Sequence, residues 1–308
     1  MPSVDVSIVT WNSAAVLERL LQDLVAQSCV PARITVVDNG SSDESRDIAR
    51  RYPEVEVIAL AENTGFAHAH NIGIAAGSSD YVFVVNPDVR LDPKYLETLV
   101  TFAEQVGDAG SFVGTVQRPD GAIDTTGLMV SRTRIVRDRQ NAFTHPTAIF
   151  GVSGAVALYR RRALDAVKNS GQVFHEALFA YKEDVELAWR LQWAGWGAFC
   201  VPHARAVHER EVRVETKRSR RSQRRRFLSY RNHLLLFALV ETPGTFWPEA
   251  WAILPAELGR FAYLTCTDPR TTFRALAAAV KMWHAARMFA AHDSRRNRSA
   301  KMRTILHV

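Results

Sequence analysis

The first 90 residues alternate between strand-like apolar runs and segments whose apolar residues repeat at helical spacing. Four strand-like runs are predicted: VDVSIVT (4–10), ITVVDN (34–39), VEVIAL (55–60) and YVFVV (81–85). Alternating strands and helices form parallel sheets with right-handed crossovers. A run that is apolar at every position, such as YVFVV, is typical of a strand buried on both faces. This part of the chain therefore predicts an α/β fold.

Two of the predicted helices carry local start signals. Ser41 and Glu44 have the spacing of a capping box at the beginning of SSDESRDIARRY. Asn63 can cap the helical segment TGFAHAHNIGIAAG. We expect these side chains to hold the first turns of the two helices.

The alternation loosens after residue 95. The predicted elements there are a helix (93–106), a strand in GSFVGTVQ, a polar loop over 118–145, a strand in IFGVSGAVALYRR, a helix (183–196) and a strand in AFCVP. Beyond about residue 210 the chain looks wholly helical, with basic and aromatic residues mixed. The chain thus predicts an α/β body followed by a helical extension.

Composition restricts the class of protein. At 308 residues, with 47% hydrophobic and 23% charged residues, the chain can bury a core and is not disordered. It has no run of 18 apolar residues, as a membrane-spanning helix would need, and no signal-peptide pattern at its N-terminus. Its three cysteines are too widely spaced for a disulfide framework or a metal motif. We therefore expect a cytosolic protein, soluble or peripheral to a membrane.

Acidic residues occur just after predicted strands or at a helix start. Asp38 follows ITVV, Asp88 follows YVFVVNP, and Glu183-Asp184 begins a helix. Each has a structural alternative, since Asp38 can be a turn residue, Asp88 a cap, and the pair first-turn acids that favour the helix dipole. Ligands bind beyond the carboxyl ends of parallel strands, and carboxylates suit Mg²⁺ or Mn²⁺. Together these acids predict a metal-assisted site.

Seven ordered motifs within about residues 3–240 resemble the inverting family 2 glycosyltransferases, and among them the rhamnosyltransferase-like branch. The motifs are SIVTWN, VVDNGSSD, ENTGFAHAHNIGI, VVNPDV, FGVSGAVALYRR, FAYKEDVELAWRLQWAGW and VPHARAVHE. The resemblance implies a GT-A fold, which is Rossmann-like with a mostly parallel sheet flanked by helices. It implies a glycosyltransferase domain over 1–210, with a nucleotide-sugar half of about 1–95 and an acceptor half of about 96–210. Residues 211–308 form the extension.

The resemblance also implies roles for individual residues. Donor-nucleotide contacts fall on Thr10, Trp11, Asn12, Asp38, Asn63, Gly65 and Asn71. Sugar or acceptor contacts fall on Asn86, Gly154, Glu183, Trp189 and Arg190, although Gly154 can equally be a packing glycine and Trp189 a core residue. Asp184 matches the catalytic base, which would remove a proton from the acceptor hydroxyl.

The family's Asp-x-Asp metal motif reads Asn86-Pro87-Asp88 in this chain. Asp88 thereby becomes the implied ligand of Mg²⁺ or Mn²⁺. His208 matches a histidine found near the metal or diphosphate, although a lone histidine after a strand is more often structural. The implied reaction moves a sugar, with L-rhamnose from dTDP-rhamnose as the expected donor and UDP-sugars as the alternative. The implied acceptor is a polyprenyl-diphosphate-linked sugar or a growing cell-envelope polysaccharide.

Basic residues concentrate near the end of the chain. KRSRRSQRRR (217–226) contains seven and RRNRSAKMR (295–303) contains five. They can form a solvated helix face, or bind an anionic membrane, an acceptor diphosphate or nucleic acid, and the aromatic helices can equally form a homodimer interface. We expect a peripheral enzyme at the inner face of the membrane. A nucleic-acid-binding protein would leave the acidic residues without a role, and a nucleotidyltransferase would need glycines in TWNSAAV.

Overall fold

The computed structural model describes residues 1–209 and 220–291. The strands are β1 Val4–Thr10, β2 Arg33–Asp38, β3 Val55–Ala59, β4 Tyr81–Val85, β5 Val89–Leu91, β6 Ala109–Gln117, β7 Ile123–Thr125, β8 Leu128–Val130, β9 Val136–Asp138, β10 Thr147–Ile149, β11 Val156–Arg160 and β12 Gly197–His208. The helices are α1 Ala14–Val25, α2 Ser45–Arg50, α3 Phe66–Ala75, α4 Tyr95–Gln105, α5 Arg161–Val167, α6 Glu183–Ala194, α7 Arg220–Val240, α8 Pro243–Phe246, α9 Ala250–Thr267 and α10 Pro269–Ala291.

The first half of the sheet is parallel, as its sequence predicts. β3, β2, β1 and β4 lie side by side in that order, and Thr10 at the end of β1 is level with Asp38 at the end of β2. All five residues of β4 are buried, which explains its uninterrupted apolar sequence. Because β2 and β4 flank β1 on opposite sides, a crevice opens at the carboxyl ends of these strands.

The second half of the sheet is mixed. β11 is antiparallel to both β4 and β6, whereas β12 is parallel to β6. The far end of β12 pairs with the short β5, which places His208 opposite Val89. This pairing brings a histidine from the end of the sheet next to the Asn86-Pro87-Asp88 turn.

Two expectations about local structure are wrong. No capping box forms at Ser41, because its hydroxyl accepts a hydrogen bond from the Asn12 backbone, and α2 begins only at Ser45. The carboxylate of Asp43 instead accepts from the backbones of Ser45 and Ala14, tying the two loops together. The stretch 118–145 contains β7 and the hairpin of β8 and β9, so it is not a plain loop.

The helical extension packs against the α/β body in the described part of the chain. α7 runs along α10, and a second apolar core joins Leu235 and Leu239 of α7 to Trp189 and Trp193 of α6. Arg134, in the β8–β9 turn, pairs with Glu241 at the end of α7, and both side chains are buried. Within the two described ranges, we find no helix with the length and apolar character needed to cross a membrane. The tract 295–303 lies outside the described residues, as does the start of the basic tract at 217–219.

Candidate active site

Two adjoining cavities open at the carboxyl ends of the strands. The nucleotide-side cavity, about 530 Å³, is lined by Val9, Trp11, Asn12, Asn39, Asn63, Gly65, Phe66, Phe179, Ala180, Tyr181, Arg224, Arg225 and Leu228. The acceptor-side cavity, about 480 Å³, has among its lining residues Asn86, Gly154, Glu183, Asp184 and His208. Phe66, Ala180 and Tyr181 line both cavities, so a ligand in one lies next to a ligand in the other.

Four of the predicted donor-binding residues line the nucleotide-side cavity: Trp11, Asn12, Asn63 and Gly65. Gly65 has φ +94°, and a Cβ atom there would lie 2.6 Å from the carbonyl oxygen of Phe179. A side chain is therefore disfavoured at this position by both backbone conformation and space. The close approach joins the loop before α3 to the loop before α6.

Asn39 is a lining residue that the sequence analysis did not identify. Its side-chain oxygen accepts hydrogen bonds from the backbone and hydroxyl of Thr64, at 2.8 and 3.1 Å, and its amide nitrogen donates to the Gly65 carbonyl. Asn39 thus holds the turn that contains Gly65. Its position directly after Asp38, at the end of a buried strand, was the available signal.

The other three predicted donor contacts, Thr10, Asp38 and Asn71, do not line the cavity. Asp38 is fully buried and accepts hydrogen bonds from the Arg46 guanidinium at 2.8 and 3.0 Å. The side chain of Asn71 donates a hydrogen bond to the Phe174 carbonyl and accepts one from the Phe174 N–H, and Thr10 is fully buried. Direct contact of Asp38 or Asn71 with a nucleotide would require these side chains to exchange partners.

Asp88, His208 and Asp124 form a row beside the acceptor-side cavity. The Nε2 atom of His208 lies 3.2 Å from Asp88, and its Nδ1 atom lies 3.0 Å from Asp124. Burial lowers the pKa of His208, but hydrogen bonds and charges from Asp124 and Asp88 outweigh burial and raise it to about 9. Asp124, on β7, was not identified from the sequence, because nothing local to it marks a partner 84 positions away.

The carboxylate of Asp88 is suited to a divalent cation, and His208 would join it as a ligand only after Nε2 loses the proton that the raised pKa retains. Carboxylate oxygen and imidazole nitrogen both bind Mn²⁺, and Mg²⁺ or Mn²⁺ is often held by one or two side chains plus substrate phosphates. Across residues 1–209 and 220–291 we find no cluster of three or more His, Cys, Asp or Glu side chains able to hold a metal ion. The diphosphate of a substrate would therefore have to complete the coordination. Asp124 would orient the histidine ring, as partners of metal-bound histidines commonly do.

Asp184 lies in the first turn of α6 and faces the acceptor-side cavity. One of its carboxylate oxygens accepts a hydrogen bond from the Gly154 backbone at 3.1 Å, and the other accepts from the Val185 backbone at 2.7 Å. A Cβ atom on residue 154 would be 3.2 Å from the Phe66 ring and 3.5 Å from Cβ of Asp184. A side chain at position 154 would therefore crowd the Phe66 ring but meet Asp184 only at van der Waals distance.

Glu183 differs from its neighbour in environment. It is buried, and burial followed by the charge of Asp184 raises its pKa to about 8. At neutral pH Glu183 is therefore mostly protonated. Two neighbouring carboxyl groups in such different environments can take different parts in a reaction, one as a neutral acid and the other as a base.

The loop preceding Glu183 has an unusual backbone. Phe179, Tyr181 and Lys182 all have positive φ, at 65°, 71° and 75°. Such conformations cost about 1–3 kcal/mol each for residues other than glycine, and persist only where the surroundings hold them. The buried amide of Asn232 donates to three carbonyl oxygens of this loop, those of Leu178, Ala180 and Tyr181. The extension therefore shapes the wall between the cavities.

Two predicted acceptor contacts lie in the interior. Arg190 is 1% exposed, pairs with Glu186 and donates to the backbone of Val167. Trp189 is 2% exposed and packs edge-on against Phe150, with ring centroids 4.9 Å apart. The structure thus gives both side chains packing roles and does not bring them to the acceptor-side cavity. Asn86, Gly154 and Glu183 do line that cavity.

Comparison with known families decides what this geometry belongs to. The family described as "Glycosyl transferase family 2" matches residues 5–168, which is more than half of the chain. The chain belongs to glycosyl transferase family 2. This membership confirms the resemblance found in the sequence motifs and makes the protein a glycosyltransferase.

A curated relative of this family 2 enzyme places it in the rhamnosyltransferase-like branch. The N-acetylglucosaminyl-diphospho-decaprenol L-rhamnosyltransferase of Mycobacterium tuberculosis is 30% identical over 234 residues, which cover 66% of this chain and 74% of the relative. A second relative from the same organism, the pre-mycofactocin glycosyltransferase, is 26% identical over 68% of this chain and 43% of its own.

Solved structures confirm the GT-A type of fold. GalNAc-T7, solved with UDP, GalNAc and Mn²⁺, has a TM-score of 0.61 at 14% identity, over 78% of this chain and 48% of the other. This chain therefore spans about half the length of that structure. Mannosyltransferase PcManGT from Pyrobaculum calidifontis was solved with GDP-Man and Mn²⁺. It has a TM-score of 0.56 at 19% identity, and the match covers 99% of this chain and 86% of the mannosyltransferase. At these identities the similarity concerns the fold alone.

Proposed function

We propose that this family 2 enzyme transfers L-rhamnose from dTDP-rhamnose to a sugar linked to polyprenyl diphosphate, with inversion at the anomeric carbon. The observation that carries the proposal is Asp184, held by the Gly154 N–H in a cavity that shares a wall with the nucleotide-side cavity. The name of the 30% identical relative supports the choice of sugar and acceptor.

The proposed chemistry uses Asp184 as the base. As the acceptor hydroxyl attacks the anomeric carbon, its proton passes to a carboxylate oxygen of Asp184, a new C–O bond forms, and the bond to the nucleoside diphosphate breaks. The Gly154 and Val185 N–H groups keep the carboxylate in position. Asp88 and His208 would hold the divalent cation, which, when bound, offsets negative charge on the diphosphate.

We also propose that the extension rests on an anionic membrane surface, where a polyprenyl-linked acceptor would be found. Several large apolar side chains of α8–α10 and their connections are exposed: Trp247, Trp251, Leu254, Leu258, Tyr263, Phe273 and Trp283. Exposed apolar and aromatic side chains combined with arginines are typical of helices that lie in a membrane interface. The competing occupant is a second copy of the chain, which sedimentation without lipid would reveal as a dimer.

The first experiment is a thermal-shift screen of dTDP, UDP, GDP and their sugar conjugates with Mg²⁺, Mn²⁺ or EDTA. A ligand that binds only the folded protein raises its melting temperature. We expect a metal-dependent shift with dTDP-rhamnose that Asp88→Ala abolishes. Turnover is then checked by mass spectrometry of a rhamnosylated polyprenyl-diphosphate acceptor. A shift with GDP-sugars alone would contradict the proposed donor.

A further inference from the structure

A third cavity lies between α7 and α10, outside the two described above. This arginine cleft, about 440 Å³, is lined by Phe179, Gln223, Arg224, Phe227, Leu228, Arg231, Thr271 and Arg274. Among the residues that the structure describes, its lining includes three arginines and no acidic side chain. We propose that the arginine cleft binds the diphosphate group of a polyprenyl-diphosphate-linked acceptor. The choice of ligand rests on the proposed function.

The arginines are arranged around aromatic rings rather than paired with carboxylates. The guanidinium groups of Arg231 and Arg274 each lie 5.8 Å from the centre of the Phe227 ring, and that of Arg224 lies 4.6 Å from the centre of the Phe179 ring. Stacking on a ring fixes the plane of a guanidinium without using its edge N–H groups. Arg231 already donates from Nε to Asn232 and from Nη2 to the carbonyl oxygens of Ala177 and Leu178. The donors for an anion are therefore chiefly those of Arg224 and Arg274. Planar donors with fixed orientation match the oxygens of a phosphate.

The acidic residue just before α10 is already engaged. Asp268 precedes α10, accepts a hydrogen bond from Arg226 at 3.0 Å and also accepts from the Thr271 backbone. In the part of the chain that the structure describes, Arg224 and Arg274 form no ion pair with a carboxylate. Both are exposed, whereas burial lowers the pKa of Arg231. An anion in the cleft would therefore meet arginines that pair with no carboxylate of residues 1–209 and 220–291.

The position of the cleft fits an acceptor diphosphate. Phe179 and Arg224 line both the cleft and the nucleotide-side cavity, while Tyr181, two residues after Phe179, lines the acceptor-side cavity. The Cα atoms of Phe179 and Tyr181 are at most about 7.2 Å apart. The cleft therefore borders the loop that also lines the cavity of Asp184, which is the side on which an acceptor sugar would have to lie.

The same two helices offer a path for the polyprenyl chain. Further along α7 and α10, a groove of about 540 Å³ is lined mostly by apolar residues, among them Leu234 and Phe237 of α7 and Trp283 of α10. The groove has residues of α7 and α10 in its lining, as the arginine cleft does, and the rest of its lining comes from α9 and the segment that joins α7 to α9. A charged end bound in the cleft followed by an apolar chain in the groove matches the two chemically distinct parts of a polyprenyl diphosphate.

The test is calorimetric titration of the full chain with farnesyl diphosphate, a short polyprenyl diphosphate. We expect Arg274→Gln to weaken binding about tenfold, as expected for the loss of one charge-assisted hydrogen bond. Arg270→Gln is the matched control, because Arg270 is an exposed arginine of the same helix that does not line the cleft. In a transfer assay, Arg274→Gln should raise KM for the acceptor and leave kcat unchanged. Equal melting temperatures show that both variants are folded.

Three results would overturn the proposal. The first is unchanged farnesyl diphosphate binding in Arg274→Gln, or an equal loss in Arg270→Gln. The second is a parallel loss of dTDP binding, which would assign the cleft to the donor diphosphate. The third is weaker binding only to phosphatidylglycerol vesicles, which would assign it to lipid head groups. Since farnesyl diphosphate binding needs no donor, Arg274-dependent binding without any rhamnosyl transfer supports the site and counts against the proposed function instead.

Discussion

The side-chain amide of Asn232 donates a hydrogen bond to the carbonyl oxygen of Tyr181 at 2.7 Å. The same nitrogen lies within 2.9 Å of the carbonyl oxygens of Leu178 and Ala180. One buried side chain from the helical extension therefore holds the loop that precedes the proposed base. Because that loop has three residues with positive φ, its shape depends on support from outside.

We expect Asn232→Leu, which keeps the volume but removes the donor, to destabilise the protein by about 2–3 kcal/mol, since buried carbonyl groups lose their partner. Its kcat should fall more than tenfold even where the variant is fully folded, because Asp184 is displaced. The measurement is kcat and KM at low temperature, alongside chemical denaturation.

Asn169→Leu is the matched control for this change. Asn169 is also buried and donates to a backbone carbonyl, that of Phe289, but it lines neither cavity. It should lose stability and keep kcat. Equal kcat losses in the two variants would show that Asn232 acts only through stability.

Replacement of the proposed base tests the chemistry directly. We expect Asp184→Asn to lose about 10² to 10⁴ in kcat with its melting temperature nearly unchanged, as for removal of a general base. Glu183→Gln should keep most of the activity at pH 7, because Glu183 is already mostly neutral there. The two variants are compared in a single-turnover assay. Near-normal turnover in Asp184→Asn would reject the assignment.

The raised pKa of Glu183 predicts a dependence of stability on pH. Between pH 4.5 and about 8 the unfolded chain ionises this residue while the folded protein keeps it protonated, so stability falls as pH rises through that window. The stability of the Glu183→Gln variant does not fall in this way, because glutamine does not ionise. We expect the variant to gain roughly 1 kcal/mol per pH unit relative to the parent protein between about pH 5 and 8. Denaturation curves at several pH values measure it, and parallel stability profiles would contradict the assignment.

Gly65→Ala tests the close approach in the nucleotide-side cavity. We expect it to cost about 1–3 kcal/mol through strain at positive φ and to weaken dTDP binding through displacement of the Phe179 loop. Gly121→Ala is the control, because Gly121 also has positive φ, at +84°, but a Cβ atom there would meet nothing within 4 Å. Calorimetry should show weaker dTDP binding for the first variant alone.

The sequence predicts the parts of this protein that depend on local pattern. The four parallel strands are confirmed because the apolar runs directly report their burial, and Asp184 and Gly154 do line one cavity. Three features could not be predicted: the antiparallel direction of β11, the contact of Asp124 with His208, and the hydrogen bond from Asn232 to the carbonyl of Tyr181. Each depends on residues far apart in the chain, whose proximity follows from tertiary packing.

The buried ion pair of Arg134 and Glu241 joins the α/β body to the helical extension. The arginine belongs to the turn of the β8–β9 hairpin, whose Leu128 and Val136 line the acceptor-side cavity, while its partner ends α7. Removing one member of a buried ion pair costs about 3–5 kcal/mol. The extension therefore cannot be cut away as a detachable anchor, because a truncated chain would leave an uncompensated charge under the acceptor pocket and loosen the catalytic half itself.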